Sequence, residues 1–88
     1  MPRNALLLGA FAVSLAIFVA PAAADTARDC EQANDQDPRI RGCSLIIEGK
    51  VDGNKAMAYY NRGLAFRAKG EQERAAADFI RAKEAGAK

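Results

Sequence analysis

The spacing of apolar and small residues predicts two helices in residues 59–82, which read YYNRGLAFRAKGEQERAAADFIRA. Two stripes at helical spacing lie in this segment, the first with Tyr59, Arg62, Gly63 and Phe66, and the second with Ala75, Phe79 and Ala82. Gly70 separates the stripes, and two helices joined at a glycine form an antiparallel hairpin. Gly63 and Ala75 would let the two backbones approach closely, while Phe66 and Phe79 fill the space beside them.

These positions resemble the tetratricopeptide (TPR) repeat, a helix–turn–helix unit with a period of about 34 residues. The resemblance covers residues 55–88, and the matching positions are Tyr59, Gly63, Phe66, Gly70, Ala75, Phe79 and Ala82. The chain departs from the family at Gln72, Lys83 and Ala87, where an aromatic residue, a leucine and a proline are usual. An ordinary amphipathic hairpin would explain the periodicity, but not both small residues together with all three aromatic ones.

The N-terminal segment, residues 1–24, has the layout of a secretory signal peptide. Arg3 precedes an apolar run over residues 5–20, Pro21 ends that run, and Ala22 and Ala24 occupy the −3 and −1 positions of a cleavage site. The alternative is an uncleaved anchor, since residues 5–24 are just long enough to span a membrane. We expect cleavage after Ala24 and export to the periplasm or beyond, with membrane contact only through an uncleaved leader.

The charge pattern argues against nucleic acid as a partner. The formal net charge is +2, and because Arg3 is the only charged side chain of residues 1–24, residues 25–88 carry +1. Acidic and basic residues alternate as on a solvated helical surface, and no run of Lys or Arg is present. A single domain over residues 25–88 has a small hydrophobic core and needs a covalent cross-link or a partner to be stable.

The cross-link that we expect is a disulfide between Cys30 and Cys43. An exported chain meets an oxidising compartment, in which two cysteines are bonded more often than free. With a shift of 33 residues onto the repeat, Cys30 falls on Gly63 and Cys43 on Ala76. The TPR resemblance then implies that the two cysteines face each other across a degenerate hairpin over residues 25–50, with residues 34–38 as its turn. Such a bond contributes roughly 3 kcal/mol by loop closure.

This half of the chain also resembles a cysteine-paired segment found before TPR units in small exported bacterial proteins. The similarity rests on the two cysteines, Ile46 and Gly49. A redox enzyme is the alternative reading of the cysteines. Catalytic dithiols usually stand two residues apart at a helix N-terminus, whereas residues 31–42 separate these two, so a structural bond is favoured.

The sequence offers little for catalysis or for cofactors. It contains no histidine, and with both cysteines bonded no transition-metal site can be assembled. Asn34, Asp35 and Asp37 lack the glycine and distal glutamate of a calcium loop, and we interpret them as a solvated, helix-capping turn. Neither Ser44 nor Thr26 has a base to activate it. The prediction is therefore a non-enzyme without a cofactor.

The fold expected is all-α with about four helices, the third running from the N-cap Asn54 to Lys69 after a turn over residues 51–54. TPR arrays bind extended peptides on the face of their first helices. The resemblance places on that face Met57, Tyr60, Asn61, Leu64, Arg67 and Ala68. Asn61 would hydrogen-bond a ligand backbone, and Arg67 would meet a carboxylate. Alternatively, Asn61 and Arg67 are simply solvated and Tyr60 packs on the preceding hairpin.

The function expected is a peptide-binding or protein-binding module. The alternative is a structural envelope component that self-associates and has no free peptide ligand. Stacked repeats generally need about three units, and only one good and one degenerate unit can be recognised. A self-sufficient small domain, a homo-oligomer and a short or truncated member of a longer array are all compatible with the sequence. The identity of the partner and the pathway stay open.

Overall fold

The computed structural model describes residues 23–86, which form four helices and no strand. The helices are α1 (Ala23–Glu31), α2 (Gln36–Ile47), α3 (Lys55–Ala68) and α4 (Gln72–Gly86). The prediction of an all-α chain with four helices is confirmed for this part of the sequence. The leader predicted over residues 1–24 lies outside the described residues, except for Ala23 and Ala24. These two belong to the first turn of α1, so the helix begins two residues before the expected cut.

The ends of α3 follow the capping signals in the sequence. The Asn54 side chain accepts a hydrogen bond from the Met57 N–H at 2.9 Å, which satisfies one of the free N–H groups at the helix start. The helix ends at Ala68, and Gly70 has a φ of 83°, a conformation that glycine adopts without strain. The main-chain N–H groups of Lys69 and Gly70 return to carbonyls of the last turn, which closes the helix.

The turn between α1 and α2 differs from the expected one over residues 34–38. It comprises residues 32–35, and Asp37 and Pro38 already lie in the first turn of α2. The reason is the Gln32 side chain, whose Oε1 accepts from the N–H groups of Asn34 and Asp35 at 2.8 and 2.9 Å. Its Nε2 donates to the main-chain oxygen of Asp35 at 2.8 Å. One side chain therefore closes a shorter turn, and Asp35 at the N-cap makes no side-chain capping bond.

The four helices pack in sequence. Each helix contacts the next one along the chain, and α1 also touches α3. Two glycines permit the close contacts within the hairpins. A Cβ on Gly42 would lie 2.6 Å from the Thr26 carbonyl oxygen, so α2 meets the backbone of α1 there. A Cβ on Gly63 would lie 2.6 Å from the Phe79 ring. The ring of Phe79 therefore occupies the space at Gly63, and the close approach of the two backbones at Gly63 and Ala75 stays a prediction.

The core is small and centred on the sulfurs of the first hairpin. Cys30, Cys43, Ile46 and Ala58 are buried together, with Ile47 and Val51 packed against them. The Sγ atoms of Cys30 and Cys43 are 2.11 Å apart, which is disulfide distance, so the structure brings together the two cysteines predicted to pair. The C-terminal hairpin contributes three further buried apolar side chains, those of Ala65, Phe66 and Ala75.

A candidate binding face on α3

The end of α1 is held by a residue that the sequence did not single out. Arg39 of α2 is only 7% exposed, and its Nε donates to the main-chain oxygen of Cys30 at 3.4 Å. Cys30 lies in the last turn of α1, where carbonyl groups lack partners within the helix and carry partial negative charge. Burial lowers the pKa of the Arg39 guanidinium. The buried cation therefore serves α1 as a C-terminal cap beside the disulfide.

A second polar cluster joins three helices. Arg62 of α3 forms a bidentate ion pair with Asp78 of α4, and its Nη1 donates to Ser44 Oγ of α2 at 2.9 Å. The hydrogen bond to Asp78 raises the pKa of Arg62 above its ordinary value, although partial burial opposes this. Asp78 is 4% exposed, and the pair satisfies both of its oxygens, as a buried charge requires.

The α1–α3 cavity is a depression of about 120 Å³ between these two helices. Its walls come from α1, the end of α2 and the start of α3, and they include Ala27, Cys30, Glu31, Ile46, Met57 and Asn61. Asn61 is 7% exposed, and no hydrogen bond joins its side-chain amide to another group within residues 23–86. The polar atoms of this amide keep contact with solvent, so its donors and its acceptor are open to a ligand in the cavity. The cavity can therefore accommodate one apolar side chain of a ligand and offer the Asn61 amide for hydrogen bonding.

The α3–α4 groove lies on the other side of Met57. It has a volume of about 380 Å³ and is lined by Ala56, Met57, Tyr60, Phe79, Ala82 and Lys83. The rings of Tyr60 and Phe79 contact each other, with centroids 5.6 Å apart and a tilt of 47°. The Arg67 guanidinium stands over the Phe79 ring at 5.4 Å. The groove is thus an apolar trough with cationic side chains at Lys83 and Arg67.

The residues expected on the peptide-binding face are not equivalent in the structure. Met57 and Tyr60 are 53% and 48% exposed. Met57 borders both depressions and Tyr60 only the α3–α4 groove, whereas Asn61 opens only into the α1–α3 cavity. Leu64 is half-buried, and Arg67 is exposed but engaged with Phe79. Two parts of the alternative view were wrong: Asn61 is buried, not solvated, and Tyr60 packs on the following helix, not on the preceding hairpin.

The acidic turn residues also differ from their interpretation as a solvated cap. Asp37 pairs with Lys69, so the beginning of α2 is tied to the end of α3. The hydrogen bond from Lys69 and its charge lower the pKa of the Asp37 carboxyl, and the same contact raises the pKa of Lys69. This ion pair is exposed and belongs to the surface of the fold.

A cleft on the opposite side of α4 carries arginines without becoming an anion site. Its volume is about 350 Å³, and its walls include Arg62, Phe66, Arg74 and Arg81. The guanidinium groups of Arg62 and Arg74 flank the Phe66 ring at 5.7 and 5.3 Å. Asp78 neutralises Arg62, and Glu71 pairs with Arg74 at 3.3 Å. The cleft therefore holds carboxylates for most of its cations, and we interpret these arginines as packing over an aromatic ring.

Two further observations apply to residues 23–86. No group of three or more His, Cys, Asp or Glu side chains there is arranged to hold a metal ion. None of the four helices is long and apolar enough to cross a membrane.

Comparison of the chain with protein-family models, with curated proteins and with solved structures gives no match.

Proposed function

We propose that this chain is an exported, non-catalytic TPR-type module that binds a peptide or a protein segment on the α3 face. The TPR assignment is supported by the repeat spacing over residues 55–88, by the order of four helices and by the contact of α3 with both preceding helices. The fit of Phe79 against Gly63 supports it as well, because both are signature positions of the repeat.

The observation that carries the binding proposal is the position of Met57 between two depressions. Met57 is exposed, and its side chain lines both the α1–α3 cavity and the α3–α4 groove. Exposed Met and Tyr side chains beside apolar pockets are typical of protein interfaces. A ligand crossing Met57 would place one apolar side chain in each depression, as binding modules commonly require.

The polar groups specify the chemistry of the ligand. The Asn61 amide can donate to a main-chain carbonyl and accept from a main-chain N–H of an extended segment. Lys83 and Arg67 favour carboxylates near the groove. The ligand is therefore a segment with two apolar side chains, a free main-chain amide near Asn61 and an acidic residue toward α4.

A selection from a display library of random peptides against the disulfide-bonded protein tests this proposal. Selected peptides should weaken about 5- to 30-fold on Tyr60→Ala or Met57→Ala, because truncating an anchor at an interface costs about 1–2 kcal/mol. Ile80→Ala is the matched control, since Ile80 of α4 is 58% exposed and lines neither depression. If the selected peptides lose equal affinity on the control variant, or if no peptide is selected, the binding face is not where we place it.

Self-association is the second candidate function, and the distribution of apolar surface favours it. The three exposed large apolar side chains of the described residues, Met57, Tyr60 and Ile80, all lie on the C-terminal hairpin. With the shift of 33 residues, Ile80 corresponds to Ile47, which is half-buried against the core. The C-terminal hairpin therefore exposes an apolar side chain at Ile80, whereas the equivalent position of the first hairpin is packed against the core. Sedimentation over a range of concentrations decides: a dimer that Ile80→Glu dissociates supports the structural role, and a monomer at all concentrations removes it.

A further inference from the structure

We propose that the Cys30–Cys43 disulfide gates the α1–α3 cavity: the oxidised protein holds α1 in place as a wall of the cavity, and reduction releases α1 alone and dismantles the site. This inference rests on the proposed function in that it treats the cavity as part of the binding face. It concerns a device built from α1, from the cysteine pair and from Arg39.

The first step is that α1 is anchored at two places, by its cysteine and by its close packing on α2 at Gly42. Among residues 25–31 of α1, only the Cys30 side chain is buried, with 2% exposure. Arg39 adds a single long hydrogen bond to the Cys30 carbonyl, and no ion pair within residues 23–86 joins α1 to another helix. The helix has nine residues, and isolated helices of that length are not stable in water.

The second step is that α1 forms one wall of the cavity. Ala27, Cys30 and Glu31 line it from α1, opposite Met57 and Asn61 of α3. When α1 leaves, the cavity becomes an open surface. The apolar wall from α1 is then lost and the Asn61 amide is more fully exposed to water, so a ligand that uses both binds weakly or not at all.

The third step is that the remaining helices have their own connections. Arg62 joins α3 to Asp78 of α4 and to Ser44 of α2, and the Phe79 ring fills the space at Gly63. The pair of Asp37 and Lys69 adds a further tie between α2 and α3. None of these contacts involves α1. Release of α1 removes Cys30 from the core and uncovers Cys43 and Ile46, and the contacts named above then hold the other three helices together.

The reaction needs a dithiol reductant, either a protein dithiol or a small molecule. Its thiolate attacks one sulfur of the pair and forms a mixed disulfide, and its second thiolate then displaces that sulfur. The protein gains two electrons and two protons as two thiols, and the reductant leaves as its own disulfide. Because the two cysteines are 2% and 0% exposed, attack waits for α1 to open, so the exchange rate follows the opening of this helix.

Hydrogen exchange measured amide by amide on residues 25–88 tests the gate without any ligand. The oxidised protein should protect the amides of α1. In the protein kept in excess dithiothreitol, and in the variant with Cys30→Ser and Cys43→Ser, α1 amides should exchange on the order of 100-fold faster, as loss of a closed loop of this size implies. The amides of α3 and α4 serve as the internal control and should keep their protection.

Two results overturn the gate. Equal protection of α1 with and without the bond would mean that packing alone holds the helix. Loss of protection in α3 and α4 together with α1 would mean that the disulfide stabilises the whole fold and does not control α1 selectively. Both readings come from the same exchange data.

Binding measurements with the selected peptides separate this inference from the proposed function. A peptide that binds the oxidised protein and loses at least tenfold in affinity for the reduced protein supports both. Equal binding of a peptide to the two forms would contradict the redox gate but would still support the proposed peptide-binding function. Should no peptide bind the oxidised form while α1 still opens on reduction, the proposed function fails and the redox control of α1 stands.

Discussion

Arg62 holds Asp78 with two parallel hydrogen bonds, from Nε to Oδ2 at 2.7 Å and from Nη2 to Oδ1 at 2.9 Å. The Asp78 side chain is 6% exposed and the Arg62 side chain 21%, so the ion pair is largely removed from water. The third contact of the guanidinium, to Ser44, extends the cluster to α2. This arrangement fixes how α4 sits on α3 and thereby shapes the α3–α4 groove.

We expect Asp78→Asn to destabilise the protein strongly. The variant keeps the shape of the side chain but leaves a guanidinium without its counter-charge, and breaking a buried pair in this way costs about 3 kcal/mol. The measurement is the free energy of unfolding from urea denaturation of the oxidised protein. The matched control is Asp25→Asn, because Asp25 pairs with Arg28 at 3.3 Å in an exposed position. That change should cost about 0.5 kcal/mol or less, and equal effects of the two variants would refute the role of the Arg62–Asp78 pair.

Gly63→Ala should destabilise the C-terminal hairpin by about 1–3 kcal/mol, because the new methyl group would lie 2.6 Å from the Phe79 ring and must displace it. Gly86→Ala is the matched control, since its Cβ would lie an ordinary 3.6 Å from the Ala56 side chain within the last turn of α4. There the lower entropy of the unfolded chain favours alanine, so stability should hold or rise slightly.

A second variant distinguishes the ring contact from a change in helix propensity. Phe79→Leu removes Cε1 and Cζ, two of the three ring atoms that the methyl group of Gly63→Ala would meet, so the double variant should lose less stability than the sum of the two single ones. Additive losses measured by urea denaturation would show that the ring and Gly63 are not coupled.

The helix boundaries of the C-terminal half were predictable because local signals agree there. Asn54 caps α3, Gly70 ends the hairpin, and the apolar stripes have helical period between them. The turn after α1 was predicted two to three residues too late, since the closing group is the Gln32 side chain and no simple turn motif announces it. The sequence was thus sufficient to place a helix boundary where a capping residue or a glycine determines it, but not where a longer hydrogen-bonding side chain such as that of Gln32 does.

The site was less predictable than the fold, because its properties depend on neighbours distant in sequence. Asn61 occupies a position expected to face a ligand, but residues of α1, the end of α2 and the following turn surround it and leave it 7% exposed. Arg62 stood out as a charged residue on an apolar stripe, which was the available signal for a buried partner. Its partner Asp78 could have been sought one helix further on, on the side of α4 that faces α3. Arg39 gave no comparable signal.

The contact between Asp37 and Lys69 predicts a specific pH dependence. The pKa of Asp37 lies below its ordinary value of 3.8, so the carboxylate stabilises the fold above that pH, and the contribution disappears as the pH falls through the lowered pKa. The pKa of Lys69 is raised above 10.5, so its contribution is present below that pH and is lost as the pH rises through the raised value. Urea midpoints of the wild type and of Asp37→Asn should therefore differ by a constant amount near neutral pH and converge at both extremes. A difference that stays constant into acid would exclude this pair as its source.

The intact mass of the protein recovered from an envelope fraction tests the leader and the cysteine pair together. We expect a chain that begins at Asp25, is two hydrogens lighter than its reduced form, and takes up two alkyl groups only after reduction. The alkylation result follows from the burial of both cysteines, because native protein should resist a small dithiol until α1 opens. A full-length mass with two alkylated thiols before reduction would contradict both export and the bond. A cleaved chain with free thiols would retain export but remove the disulfide, and the protection of α1 would then have to come from Arg39 and the contact at Gly42.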